Sequence, residues 1–196
     1  MERKGGVNFA NKISTFRILS VPFFVGCLIY YDYPQRDYLR FIALGIFILG
    51  VISDAVDGYI ARKSKQVSKA GMVLDPLGDK LLLISAFIFL AAIKDFPGHI
   101  KFPLWVTLVV ISRDVIIIIG TVVVYMLKQT ISIAPTKWGK LTTAFQMASV
   151  IAILIQFKYA YLFWSVAVFF TLVSGWDYVK RGFKSIYALD NSRNNH

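Results

Sequence analysis

The chain has 196 residues, of which 57% are hydrophobic and 17% are charged, and its mean hydropathy is +0.61. A soluble domain of this size averages about half apolar and a quarter charged residues, so this composition excludes an ordinary soluble protein. The net charge is +11, but the basic residues form no aromatic-studded patch, which argues against nucleic acid as a partner. The single cysteine, Cys27, excludes an intramolecular disulfide.

The apolar residues are clustered into runs of about 20, the length that a helix needs to cross a bilayer. The sequence therefore predicts an all-α integral membrane protein with six transmembrane helices. The first run follows a basic start, as in a secretory signal peptide, but it is too long for a signal core, contains Arg17 and lacks a clean cleavage site. The predicted spans cover residues 13–31, 38–62, 72–93, 103–127, 138–157 and 159–179.

The distribution of basic residues predicts the orientation of these spans. Fifteen of the 22 lysines and arginines lie at the amino end, in the 62–69 link, in the 128–140 connection and in the tail, which share one side, whereas five lie on the opposite side. Cytoplasmic loops carry the excess of Lys and Arg, so both termini are predicted to be cytoplasmic. We expect one membrane domain over residues 1–196, with a juxtamembrane segment at 1–12 and a disordered tail at 190–196.

One polar stretch interrupts the apolar sequence. Eight of its residues have helical spacing: Asp54, Asp57, Gly58, Ala61, Arg62, Gly71, Asp75 and Asp79. Residues three, four, seven and eight apart share a helix face, so the first five fall on one stripe and the last three on another. Because the basic link between the two sets is short, we expect two neighbouring antiparallel helices whose aspartates face each other at a similar depth.

Four carboxylates in or near a membrane need cations to offset them, because they repel one another and are costly within a span. Oxygen ligands without a nearby His or Cys cluster indicate Mg²⁺ or Mn²⁺ rather than zinc. Two such ions suit phosphoryl-type transfer. Gly58 and Ala61 allow a phosphate-bearing group to approach the backbone, and Arg62 adds a bidentate cation. For Asp75, next to Pro76, a helix-capping role stays open.

The pattern Asp-x2-Asp-Gly-x2-Ala-Arg-x8-Gly-x3-Asp-x3-Asp resembles the signature of the CDP-alcohol phosphatidyltransferase family, with all eight fixed positions present. The resemblance covers nearly the whole chain. It implies transfer of a phosphatidyl group from CDP-diacylglycerol to an alcohol with release of CMP. It further implies a homodimer among membrane lipids, and we expect the bacterial inner membrane, with the active site facing the cytoplasm.

The resemblance also implies roles for the eight residues. Two divalent ions would be held by the four aspartates: Asp54, Asp57, Asp75 and Asp79. Asp79 would in addition act as general base on the acceptor hydroxyl. The CDP pocket would be lined by the remaining four: Gly58, Ala61, Arg62 and Gly71.

Other segments bear on the acceptor alcohol. Residues 8–17, 111–114, 139–147 and 172–178 are similar to bacterial phosphatidylglycerophosphate synthases of this family, whose acceptor is glycerol 3-phosphate. A second phosphate on the acceptor needs its own cations, and the candidates are Arg113, Lys137 and Lys140. An ion pair with Asp114 is the structural alternative for Arg113. Membrane-flanking positions are the alternative for the two lysines.

Two departures weaken the assignment of glycerol 3-phosphate as the acceptor. Asp114 stands where those synthases usually have Glu, and Thr142 stands where they usually have Lys. Residues 113–115 and 135–137 are instead similar to CMP-forming cardiolipin synthases of the same family, whose acceptor is phosphatidylglycerol. The sequence favours glycerol 3-phosphate, with phosphatidylglycerol as the alternative.

A small ion transporter or channel is the rival outside this enzyme class. Such a protein spreads its charged residues across the depth of the membrane. Here the charged residues cluster near one predicted face, with Arg113 the deepest, which favours chemistry at a surface over passage.

Overall fold

A computed structural model of the chain describes residues 9–64, 71–93, 96, 100–128 and 137–193; for residues 9–16, 54, 57–64, 71–79, 121–128 and 182–193 it describes only the backbone. The described residues form six α-helices and no strand. In chain order they are α1 (Phe9–Ile29), α2 (Tyr38–Ser64), α3 (Gly71–Ala92), α4 (Leu104–Lys128), α5 (Lys137–Leu154) and α6 (Ala160–Arg193). They match the six predicted spans in order, so the prediction of an all-α chain with six helices is confirmed.

The last helix is much longer than the apolar run that predicted it. α6 has 34 residues and ends at Arg193, whereas the apolar run ends near residue 179. Lys, Arg, Ala and Leu are good helix formers whatever their hydropathy, so the helix continues into the charged tail. The helix thus includes residues 190–193 of the predicted disordered tail, which stays a prediction, and residues 194–196 lie outside the described part.

The chain divides into two compact units. The first contains α1, α2 and α3 together with Val150–Ala160, and the second contains α4, the remainder of α5, and α6 from Tyr161. The expectation of one functional domain over the whole chain stays a prediction.

In the first unit, α1 packs against both α2 and α3, and α2 also contacts α3. Phe24 of α1 lies 5.9 Å from Phe47 of α2, ring centre to ring centre. α2 and α3 approach closely at Gly50, where an added Cβ would lie 2.5 Å from Leu82 Cδ2. The missing side chain of Gly50 thus leaves the space that Leu82 occupies.

A polar cluster stabilises the start of α2 in this unit. Arg40 is 8% exposed, and its Nε and Nη2 donate to the two carboxylate oxygens of Asp37 at 3.0 and 2.9 Å. Its Nη1 donates at 3.0 Å to the carbonyl of Leu154, the last residue of α5. Carbonyls at a helix end lack partners within the helix, so Arg40 caps α5. The hydrogen bond from Arg40 lowers the pKa of Asp37, and the hydroxyl of Tyr31 also donates to Asp37.

α5 ends in a Schellman motif, which turns the chain toward α6. The N–H groups of Phe157 and Gln156 donate to the carbonyls of Ala152 and Ile153 at 2.8 and 2.9 Å. Gln156 has a φ of 56°, at the position where glycine is usual. Its side-chain Nε2 donates to the Ile153 carbonyl at 2.8 Å and so helps to hold this conformation.

In the second unit, aromatic contacts join the helices. Trp105 of α4 meets Trp164 of α6 edge to face at 5.6 Å, and Trp138 of α5 stacks on Phe170 of α6 at 5.9 Å. The hydroxyl of Tyr178 donates to the Ile117 carbonyl at 3.0 Å. These contacts tie α6 to both α4 and α5.

Candidate active site

The motif residues lie on two continuous helices. α2 carries the first five and α3 carries Gly71, Asp75 and Asp79. The predicted helical spacing is therefore present in the backbone. The side chains of all eight residues, and link residues 65–70, lie outside the described part of the structure, so a shared site stays a prediction.

The contact between Gly50 and Leu82 relates the two motif segments. Gly50 lies four residues before Asp54 on α2, and Leu82 lies three residues after Asp79 on α3. Each aspartate is thus about one helical turn from the same contact. Only six residues separate the end of α2 from the start of α3, which limits the gap to roughly 25 Å. This geometry places the backbones of Asp54 and Asp79 at a similar level of the helix pair.

The donor set of the motif fits a hard divalent cation. Its four aspartates offer only carboxylate oxygens, and no His or Cys lies in either segment. Oxygen donors of this kind suit Mg²⁺ and Mn²⁺. Among the side chains that the structure describes, no three His, Cys, Asp or Glu residues are grouped closely enough to hold a metal. The motif is a candidate metal centre because of this donor set.

Arg113 lies on α4 in the second unit and is 9% exposed. Its Nη1 donates to Asp114 Oδ1 at 2.7 Å, and its Nη2 donates to Ser174 Oγ at 2.5 Å. The ion pair that was the structural alternative for Arg113 is therefore present. However, the buried Nε donates to no described residue. A guanidinium has five N–H donors, so Arg113 retains capacity for a further anion.

Lys137 and Lys140 lie in the first turn of α5, and both are exposed. They lie in the same unit as Arg113. Their position fits a membrane-flanking role as well as phosphate binding, so both interpretations stay open.

The sequence interpretation gave no role to a set of buried polar residues on α5 and α6, one of which, Ser174, contacts Arg113. Gln146 and Ser149 of α5 are buried, as are Thr171 and Ser174 of α6. Gln146 Nε2 donates to Thr171 Oγ1 at 3.3 Å. The signal was available in the sequence, because these residues recur at three-residue spacing within apolar runs, where polar side chains are costly. Their partners were not, because they lie on different helices.

The described first unit also contains a cavity of about 280 Å³. It is lined by residues near the ends of α1 and α3, including Leu28, Asp32 and Phe89. Phe89 lies ten residues after Asp79, about 15 Å along α3. The cavity is therefore remote from the motif.

Comparison with known proteins gives a consistent assignment. The family model described as CDP-alcohol phosphatidyltransferase matches residues 7–173. A Bacillus subtilis protein named CDP-diacylglycerol–glycerol-3-phosphate 3-phosphatidyltransferase is 31% identical, with 91% of this chain and 97% of that protein covered. An Aquifex aeolicus protein of the same name is 30% identical over 92% of this chain and 99% of its own length. A Homo sapiens protein named cardiolipin synthase (CMP-forming) is 32% identical over 76% of this chain and 55% of its own length.

The family match covers most of the chain and includes both helices that carry the motif. The relatives named as transferases cover nearly all of it. The predictions of the family and of an enzyme that transfers phosphatidyl groups from CDP-diacylglycerol are confirmed, and the chain belongs to the CDP-alcohol phosphatidyltransferase family.

Proposed function

We propose that this protein transfers the phosphatidyl group of CDP-diacylglycerol to glycerol 3-phosphate, with release of CMP. The observation that carries the proposal is the complete eight-residue motif on α2 and α3. The names of the Bacillus subtilis and Aquifex aeolicus relatives, which cover this chain almost end to end, support the choice of acceptor.

In this reaction the acceptor hydroxyl oxygen forms a bond to the phosphorus that carries diacylglycerol. The bond from that phosphorus to the oxygen of CMP breaks, and CMP leaves with the bond's electron pair. Asp79 would take the proton from the hydroxyl. A general base contributes roughly 10²- to 10⁴-fold to such a step. Gly58, Ala61, Arg62 and Gly71 would bind the nucleotide and orient its pyrophosphate.

Two Mg²⁺ or Mn²⁺ ions would be held by Asp54, Asp57, Asp75 and Asp79. When bound, they would supply positive charge that stabilises the phosphate oxygens during transfer. Without a cation, close carboxylates raise one another's pKa, which would leave a fraction of them protonated. The oxygen-only donor set and the similar level of Asp54 and Asp79 support this role.

Arg113 would bind the phosphate of the acceptor. It is buried in an apolar helix, where an unpaired charge is costly, and Asp114 offsets that cost. Its Nε–H has no acceptor in the described part of the chain, so a phosphate oxygen could complete its hydrogen bonding. Lys137 and Lys140 would add exposed positive charge in the same unit.

We further propose that the protein is a homodimer in the bacterial inner membrane with both termini and its active site on the cytoplasmic side. In the described residues, one helix segment, Ala160–Arg181, is long and apolar enough to cross a membrane. Large apolar side chains are exposed on several helices, including Phe23 at 70% and Trp176 at 76%. A surface of this kind suits lipid rather than water. The charge asymmetry of the sequence supports the orientation.

Phosphatidylglycerol is the second candidate acceptor, which would make the protein a CMP-forming cardiolipin synthase. Asp114 and Thr142 support it, and so does the Homo sapiens relative. This chain covers 55% of that protein, however, against nearly all of the bacterial relatives. Glycerol 3-phosphate is therefore the better supported acceptor.

The two acceptors are distinguished by the lipid product. Purified protein is incubated with CDP-diacylglycerol, Mg²⁺ or Mn²⁺, and either glycerol 3-phosphate or phosphatidylglycerol. We expect phosphatidylglycerophosphate and an equal amount of CMP from glycerol 3-phosphate. Product from phosphatidylglycerol alone would establish the second candidate, and no CMP with either acceptor would contradict both.

A further inference from the structure

Gln146 is fully buried on α5, and its orientation is fixed by α6. Its Nε2 donates to Thr171 Oγ1 at 3.3 Å. The Thr171 hydroxyl donates its own hydrogen to the Ala167 carbonyl at 2.6 Å, so its oxygen is left to act as an acceptor. The amide of Gln146 must therefore turn its NH₂ group toward Thr171 and its oxygen away.

This arrangement leaves a buried acceptor unused. Gln146 Oε1 accepts no hydrogen bond from any residue that the structure describes. Arg113 Nε is a buried donor that likewise has no partner among the described residues. Buried polar atoms are nearly always hydrogen-bonded, because an unmade bond leaves the cost of desolvation uncompensated. A donor and an acceptor left over in one unit indicate a ligand that offers the opposite pair.

The two atoms belong to side chains anchored on one stripe of α6. Arg113 donates to Ser174, and Gln146 donates to Thr171. Ser174 and Thr171 are three residues apart, which is about one turn, or roughly 4.5 Å, along the helix axis. Both side chains thus reach the same face of α6, Arg113 from α4 and Gln146 from α5.

A glycerol phosphate carries groups that match this pair. Its phosphate accepts from an arginine, and the hydroxyl on its middle carbon, next to the carbon that bears the phosphate, donates to an amide oxygen. The hydroxyl at the far end is the nucleophile and loses its proton, whereas the middle hydroxyl keeps its hydrogen throughout. We infer that Gln146 Oε1 accepts a hydrogen bond from the middle hydroxyl of the acceptor and so selects a glycerol over an alcohol that lacks it. The inference rests on the proposed function of the same site.

The test compares two acceptors that differ in this hydroxyl alone: glycerol 3-phosphate and 3-hydroxypropyl phosphate. When 3-hydroxypropyl phosphate binds, Gln146 Oε1 stays buried without a hydrogen bond, which is costly. We therefore expect kcat/KM of the wild type to favour glycerol 3-phosphate by at least about tenfold. Gln146→Met keeps the length and the burial but removes the acceptor, and it should bring this ratio close to one. The KM for CDP-diacylglycerol should not change.

Ser149→Ala is the matched control. Ser149 is fully buried on the same helix, and its hydroxyl donates at 2.7 Å to the main-chain carbonyl of Gln146. Loss of this hydroxyl perturbs the packing of α5 but leaves the side-chain amide of Gln146 in place. The ratio of kcat/KM for the two acceptors should therefore stay as in the wild type. If Gln146→Met does not fold, Thr171→Val releases the amide from its anchor and should lower the ratio in the same direction.

The outcomes distinguish failure of the inference about Gln146 from failure of the proposed function. Equal use of the two phosphates by an active wild type would overturn the inference and leave the proposed function in place. A ratio that Gln146→Met leaves unchanged would do the same. If product forms from phosphatidylglycerol alone, the same ratio is measured with phosphatidylglycerol and phosphatidyl-1,3-propanediol. No CMP release with any acceptor would overturn the proposed function and the inference together.

Discussion

Two arginines, Arg40 in the first unit and Arg113 in the second, are almost equally buried, at 8% and 9% exposed. Each is paired with an aspartate close in sequence, Asp37 or Asp114. Every nitrogen of the Arg40 guanidinium has a partner within the protein. Arg113 has one buried nitrogen, Nε, that has none among the described residues.

The difference is consistent with a structural role for Arg40 and supports the proposed binding role of Arg113. Arg40 donates to Asp37 and to the last carbonyl of α5, and these hydrogen bonds stabilise the helix ends. Arg113 is held from two sides by Asp114 and Ser174 while part of its donor capacity is kept. Burial and an ion pair are common to both arginines, so the difference in hydrogen bonding is the observation that supports separate roles.

The same substitution at both arginines tests this contrast, and the larger effect is expected at Arg113. Arg113→Lys keeps the charge but loses the planar fork that can bond Asp114, Ser174 and a phosphate together. We expect kcat/KM for glycerol 3-phosphate to fall about a hundredfold in the folded variant, measured by CMP release. Normal acceptor kinetics in this variant would assign Arg113 a structural role.

Arg40→Lys should show the opposite pattern. A lysine cannot bond both oxygens of Asp37 and the Leu154 carbonyl at once, so we expect a loss of about 1–2 kcal/mol in unfolding free energy. Denaturant unfolding in detergent measures it. The activity of the folded fraction should match the wild type, and a selective rise in acceptor KM would contradict the assignment.

A smaller effect is expected at the residue that holds Arg113. Ser174→Ala removes the acceptor of Nη2, so the guanidinium is less restrained and KM for glycerol 3-phosphate should rise several-fold to about tenfold, with kcat less affected. Gly175→Ala is the control, since its added Cβ would lie 3.6 Å from Arg113 Cγ, an ordinary contact. Equal effects of the two substitutions would indicate disturbed packing rather than positioning.

The smallest effect concerns pH at the Arg40 cluster. Because Arg40 lowers the pKa of Asp37 in the folded state, Asp37 stabilises the fold above its ordinary pKa of about 4, and this contribution is lost as pH falls through the lowered value. The stability difference between the wild type and Asp37→Asn should be constant near neutral pH and shrink below about pH 4. Unfolding curves over this range measure it, and a difference that grows on acidification would have the wrong sign.

The helices were predictable from the sequence because apolar runs of membrane-spanning length are local features. The true end of α6 was not, since hydropathy does not register the helix propensity of charged residues such as Lys180 and Arg181. The placement of the eight motif residues on two helices was also predictable, because their spacing along the chain matches the helix repeat.

The surroundings of the two arginines were only partly predictable. The pairs Arg113–Asp114 and Arg40–Asp37 involve neighbours in the chain and are visible in the sequence. The hydrogen bonds to Ser174 and Leu154 join residues that are 61 and 114 positions apart in the chain, and no local pattern encodes them. For this reason the sequence indicates no structural role for Arg40, although the residue is buried.

CMP release by Asp79→Asn tests the role of the motif most directly. The wild type and the variant are each saturated with CDP-diacylglycerol, whose binding is measured separately, and glycerol 3-phosphate is then added. If Asp79 is the base, the variant should remain folded and bind CDP-diacylglycerol while its CMP release falls at least about a hundredfold. Release at the wild-type rate would contradict the role of Asp79.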